Sequence, residues 1–132
     1  MLQIIKHTLL ENKDGKPISL RLIFANQSEK DIFMKDQLDT LAEKYPQRLS
    51  IEYIIDKSSN PTWKGPVGYI DKQLIGRYFP FPGLGSSIKI FVCGPPGMMK
   101  HVCGPKAPDY SQGELGGLLK ELGYDSSQVF KF

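Results

Sequence analysis

Cysteine is scarce in this 132-residue chain: only Cys93 and Cys103 occur, in no CxxC pair, and the only histidines are His7 and His101. A disulfide-held scaffold or a zinc site of the Cys/His type needs more of these residues at closer spacing, so neither is expected. Long hydrophobic runs are missing too. No stretch approaches the ~20 apolar residues that span a bilayer, and the N-terminus lacks the composition of a secretory or transit peptide. No membrane segment and no targeting signal are therefore expected in these residues. Nor does one sign of charge dominate. Lys+Arg 17 against Asp+Glu 14 leave a formal net charge of +3, and the lysines are interspersed with acids rather than gathered into the basic stripe that grips nucleic acid. What is present is an ordinary globular composition, 40% hydrophobic and 23% charged. It is far from the disordered regime and sufficient for one domain with its own core.

The hydrophobic period alternates between helix and strand. "LQIIKHTLLE" places Leu2, Ile5 and Leu9 on one helical face, and "NKDGKP" from Asn12 ends it with turn residues. "ISLRLIFANQ" is a β-branched and aromatic run that predicts a buried strand from Ile18 to Phe24, stopped by Asn26 and Gln27. "SEKDIFMKDQLDTLAEKY" predicts one amphipathic helix, with Ser28 as N-cap, Asp31 three residues on, and Ile32, Met34, Leu38 and Leu41 at roughly helical spacing before Pro46. A second strand, "LSIEYIID", begins at Leu49 and ends on Asp56; Pro61, Gly65, Pro66 and Gly68 then mark a long loop. A short helix from Asp71 to Pro80, a loop "PFPGLGSS", a strand "IKIFVC", a helix over "SQGELGGLLKELGY" with Leu115, Leu118, Leu119 and Leu122 on its apolar face, and a strand "SQVFKF" complete the chain. Strands alternating with helices in this way predict an α/β fold with a parallel sheet built from right-handed βαβ units.

Open parallel sheets bind ligands at the carboxyl ends of their strands. Those ends here are Ala25-Asn26-Gln27, Asp56, Cys93-Gly94-Pro95-Pro96 and Phe132. An acid in such a place can accept hydrogen bonds from both hydroxyls of a ribose while repelling a 2′-phosphate, which makes Asp56 a candidate for choosing NADH over NADPH. The position equally suits an ordinary acid at a strand-to-loop boundary. In "IKIFVCGPPGMMK", Gly94 lets the backbone approach a planar ligand, and Pro95 and Pro96 stiffen the start of a helix suggested by Met98 to Val102. The Cys93 thiol would sit at the edge of that shelf, small, polarizable and no competing strong base. A buried structural cysteine followed by a turn fits the same letters. No basic residue lies beside Cys93 in sequence to activate it as a covalent nucleophile.

"FVCGPPGMMK", together with "LIFANQSEKDI" and the ending "QVFKF", resembles the pyridine-nucleotide domain of NADH-cytochrome b5 reductases, in the ferredoxin-NADP reductase superfamily. The tail from Ser111 looks most like the fungal mitochondrial branch. The resemblance extends over essentially the whole chain, 1–132, and implies a Rossmann-like, doubly wound parallel sheet. It implies that Cys93, Gly94 and Pro95 hold the nicotinamide against the flavin, with Met98 in the same pocket. It implies that Asp56 reads the adenosine ribose, that Ala25 and Asn26 lie beside the adenosine, that Tyr69 packs near the adenine, and that Phe132 ends close to the flavin ring. Gly97 replaces the third proline common in this segment. In these reductases a hydrophobic strand, a Gly-Thr-Gly pyrophosphate loop and a flavin-binding barrel precede the first helix. This sequence starts one residue into that helix, so the central strand of the order 3-2-1-4-5 is expected to be absent.

The activity implied is that of an oxidoreductase passing electrons from NADH through FAD, held by a flavin-binding domain, to cytochrome b5 or a similar haem protein, in the mitochondrial outer membrane or intermembrane space. The chain alone is expected to show little of it. A nucleotide-binding or interaction module that has lost electron transfer, and a thiol-dependent enzyme using Cys93 and Cys103, are the alternatives the residues leave open.

Overall fold

The structure, a computed structural model, describes residues 1–10, 18–58 and 61–132. The turn read at Asn12 lies outside them. The chain divides into two compact units, Met1–Tyr69 and Ile70–Phe132.

In the first unit, α1 (Leu2–Leu10), β1 (Leu20–Asn26), α2 (Lys35–Lys44) and β2 (Leu49–Ile55) follow one another. β1 and β2 pair in parallel, from Leu20 opposite Leu49 to Asn26 opposite Ile55. Because side chains alternate across a strand, Leu20, Leu22 and Phe24 share a face with Leu49, Ile51 and Tyr53. That face packs with Ile5 and Leu9 of α1 and Leu38 of α2 in one core cluster. Arg48, just before β2, donates to the carbonyls of Leu9 (3.2 Å) and Thr8 (3.0 Å). These are among the last carbonyls of α1, which have no partner within a helix, so Arg48 fastens the end of α1 to the start of the ladder.

Two expectations need correction in this unit. The strand runs from Leu20 to Asn26 rather than from Ile18 to Phe24, because the Leu20 amide bonds the Arg48 carbonyl (2.7 Å) as the ladder begins, and Ile18 is left exposed. The single helix expected from Ser28 is a 3-10 turn, Glu29–Asp31, followed by a break and then α2. Ser28 Oγ donates to the Asp31 carboxylate (2.7 Å) instead of accepting an amide as a cap, and Met34 has φ 57 in the left-handed region. That reversal leaves Phe33 exposed. α2 is then tied to β2 through Asp39, whose carboxylate accepts from Lys35 (2.6 Å) and from the Tyr53 hydroxyl (2.6 Å).

The second unit holds α3 (Lys72–Tyr78), 3-10 turns over Pro82–Ser87, β3 (Ile90–Val92), α4 (Pro96–Val102), α5 (Gly117–Glu121) and β4 (Val129–Lys131). Asp71 caps α3 by accepting from the Leu74 amide (2.8 Å). β3 and β4 are parallel, Ile90 opposite Val129, and the Phe132 amide adds a bond to the Val92 carbonyl (2.9 Å). The third strand is thus shorter than residues 88 to 93. The helix read over residues 111 to 124 shrinks to Gly117–Glu121, leaving Leu115 outside it while Leu118 and Leu119 are buried. Gly117 explains the late start: it has φ 60, and a Cβ there would lie 2.4 Å from the His101 carbonyl oxygen. The segment before it is held from β4. Lys131, 2% exposed, donates Nζ to the carbonyls of Pro105 (3.1 Å) and Glu114 (2.7 Å), and Gln112 bonds both the amide and the carbonyl of Lys131.

Both observed ladders, β1 with β2 and β3 with β4, pair strands that are neighbours in the expected order.

Candidate functional site

In the first unit the carboxyl end of the β1–β2 ladder collects four of the residues singled out above. Backbone pairing continues just past the ladder, with the Asp56 amide on the Asn26 carbonyl (3.0 Å) and the Lys57 amide on the Gln27 carbonyl (3.3 Å). The following loop returns to the same end. The Ile55 amide meets the Pro66 carbonyl (3.4 Å), and the Gly68 amide meets the Ile55 carbonyl (2.7 Å). Gly68 turns at φ 118, which a side chain would resist. Tyr69 therefore leaves from the strand end, 77% exposed, while Ala25 is exposed and Asn26 and Asp56 are partly buried. One atom stands out: Asn26 Nδ2 is buried and has no hydrogen-bond partner. An exposed aromatic, an acceptor-only carboxylate and a spare amide donor suit a ligand with a flat ring, hydroxyls and unprotonated oxygens.

In the second unit β3 runs into Cys93, Gly94 and Pro95, all exposed, and α4 starts at Pro96, where a missing amide does no harm. Exposure removes the reading of Cys93 as a buried structural cysteine; Cys103 fills that role, with its thiol directed at the carbonyls of Met99 (3.5 Å) and Gly104 (3.4 Å). Burial pushes the Cys103 thiol up, and the charge of Lys131 only partly offsets it. A protonated, enclosed thiol weighs against a dithiol chemistry shared by the two cysteines.

Gly94 has a neighbour that the sequence does not show. A Cβ at that position would lie 2.2 Å from Met98 Cε and 2.7 Å from its Sδ. The space read as room for a planar ligand is covered by a flexible thioether, which can move aside. Phe132 follows the β3–β4 ladder as Cys93 does, and its ring meets those of Phe130 (5.1 Å) and Phe91 (5.9 Å). This aromatic group was missed in sequence. Its signal was the phenylalanine on the outward side of both "IFV" and "VFK".

Among the described residues no group of three or more His, Cys, Asp or Glu could hold a metal ion, and no helix is long and apolar enough to cross a membrane.

A family profile described as "Oxidoreductase NAD-binding domain" matches residues 1–104. An NADH-cytochrome b5 reductase-like protein of Arabidopsis thaliana is 48% identical over 134 residues, covering 100% of this chain and 38% of its own length. NADH-cytochrome b5 reductase 2 of Coccidioides immitis is 46% identical, with 100% and 39% covered. This chain thus spans about two fifths of the length of these relatives, in their C-terminal part. Among solved structures, the cytochrome b5 reductase domain of Ulva prolifera nitrate reductase superposes with a TM-score of 0.77 at 27% identity, over 99% of this chain and 43% of that one. The CS-b5R domains of human Ncb5or, in an NAD+ form, share the fold at a TM-score of 0.73 and 23% identity, over 100% of this chain and 32% of that one.

Proposed function

The chain belongs to the oxidoreductase NAD-binding domain family, and from that premise we propose that it is the NADH-binding part of a flavoprotein reductase delivering electrons to cytochrome b5 or a similar haem protein. The observation that carries the proposal is the meeting of Asn26, Asp56 and Tyr69 at the carboxyl end of one parallel ladder. This is where such sheets take nucleotides.

The residues present fit the ADP half of NADH. Asp56, when ionised, can only accept, and so takes the protons of ribose hydroxyls; Tyr69 offers an exposed face to the adenine. In the second unit, Cys93, Gly94 and Pro95 form a stiff edge for the nicotinamide once Met98 swings off Gly94, and Phe132 borders it. NADH supplies the hydride when bound, and FAD divides its two electrons for a one-electron haem acceptor. The chain's own contribution is orientation, and the flavin belongs to a separate flavin-binding domain. Likeness to the fungal mitochondrial branch supports a location in the mitochondrial outer membrane or intermembrane space, which fractionation would test.

The decisive experiment mixes this chain with the flavin-binding domain of a close relative and follows loss of the flavin's visible absorbance on adding NADH. Reduction that depends on the chain supports the proposal. NADH binding without flavin reduction would leave a nucleotide-binding module instead.

A further inference from the structure

We propose that Gln112 is a positioning residue for the terminal Phe132, fixing the backbone from which that ring borders the nicotinamide edge. This rests on the reductase reading above, because the placement of Phe132 matters to the reaction only if a nicotinamide comes to that edge. The last residues of a chain fray unless they are tied down. β4 is three residues long and pairs with β3 in a two-stranded sheet, and so short a ladder is marginal by itself.

Gln112 supplies what a further strand would. Its Oε1 accepts from the Lys131 amide (2.7 Å) and its Nε2 donates to the Lys131 carbonyl (2.9 Å), the same double exchange that a residue of an antiparallel strand makes with its partner. The next amide, that of Phe132, bonds the Val92 carbonyl (2.9 Å) on the opposite edge. The chain end is therefore gripped from both sides. The loop that carries Gln112 is anchored in turn. Lys131 Nζ donates to the carbonyls of Pro105 and Glu114, which flank Gln112 in sequence. Gly113, at φ 67, lies so close to Ala107 that a Cβ would come 2.9 Å from its amide nitrogen. Lys131 shares its side of β4 with buried Val129, a place where an apolar side chain would avoid the cost of burying a charge. Phe132 is the opposite case. Its ring meets those of Phe130 and Phe91 yet stays 50% exposed, one position past the Val92–Lys131 pair, as Cys93 is. A ring serving only the core would be covered; this one has a fixed backbone and an open face.

Gln112→Ala removes both bonds to Lys131. With the flavin-binding domain of a close relative added, flavin reduction at saturating NADH is expected to slow about tenfold in the variant, the scale of a small misplacement of reacting groups. The NADH dissociation constant of the chain is expected to stay at the wild-type value, because on that reading the ADP half is held by the first unit. Hydrogen exchange followed by NMR gives a second readout that needs no flavin. The Phe132 amide should exchange faster in the variant, while the Ile90 amide, bonded to the Gln128 carbonyl (2.7 Å) at the other end of the ladder, keeps its rate. A merely structural glutamine would weaken NADH binding along with the rate and release both amides. Undiminished reduction, weakened NADH binding or an unchanged Phe132 amide overturns the inference. Should Gln112→Ala fail to fold, Gln112→Glu decides, since an ionised carboxylate still accepts from the Lys131 amide but cannot donate to its carbonyl. Unchanged reduction or unchanged Phe132 exchange in that variant overturns it equally. A wild-type chain that reduces no flavin would defeat the reductase reading and this inference together. Wild-type reduction that Gln112→Ala leaves undiminished would defeat this inference alone.

Discussion

Asp56 sits one residue beyond the β1–β2 ladder, with its amide engaged by Asn26 and its side chain partly exposed. Exchanging it for threonine, Asp56→Thr, removes both an acceptor for the ribose and a repulsion toward a 2′-phosphate. The preference for NADH over NADPH, read as the ratio of the two dissociation constants, is expected to fall by about tenfold or more. An unchanged ratio would make Asp56 a surface acid only. Two glycines separate a site from a structural joint at the same scale. In Gly94→Ala the new Cβ meets only the movable tip of Met98, whereas in Gly117→Ala it meets the His101 and Val102 backbone at a φ of 60. Urea unfolding should show less than about 1 kcal/mol lost in the first and about 2 to 5 kcal/mol in the second. Comparable losses would mean that Met98 is as fixed as backbone.

At the scale of elements, the link between α2 and β2 carries a pH signature. Burial raises the Asp39 carboxyl, but hydrogen bonds from Lys35 and Tyr53 and the charge of Lys35 together outweigh it, so the group ends below its ordinary 3.8. Burial, then the bond to Asp39, push the Tyr53 phenol upward, which keeps it protonated and donating. A depressed acid contributes stability that is complete above its unfolded value and is lost as pH falls through the folded one. Wild type should therefore be more stable than Asp39→Asn at neutral pH, and the difference should close below 3.8. A difference that persists in acid would assign the effect to packing. Local signals were legible in sequence: the short helix from Asp71, the proline-led start of α4, the alternation of strand and helix, and the residues gathered at the strand ends. What escaped depends on distant partners. Nothing near Met34 announces that the helix will break there; Gly117 was a local sign of the late start of α5, but that Lys131 holds the stretch before it comes only from packing. The orphaned amide of Asn26 and the thioether lying on Gly94 are likewise products of packing.

At the scale of the whole molecule, each described sheet has two strands, so β1 and β3 each pair through one edge among the described residues. Open edges of this kind invite pairing with other chains, and two-stranded sheets are marginal without further cover. Exposed Phe33, Phe81, Phe91 and Phe132 add to that tendency. The 132-residue chain alone is expected to melt below ~60 °C, with a midpoint that depends on protein concentration and with light scattering on heating. A sharp, concentration-independent transition above that temperature would contradict it.

Lys131 is 2% exposed and bonded to two carbonyls while other lysines lie at the surface. An amine-reactive label should therefore find it late, once β4 has come away from the segment between Pro105 and Glu114. Mass spectrometry of its modification would then serve as a clock for opening of the second unit, readable in a mixture.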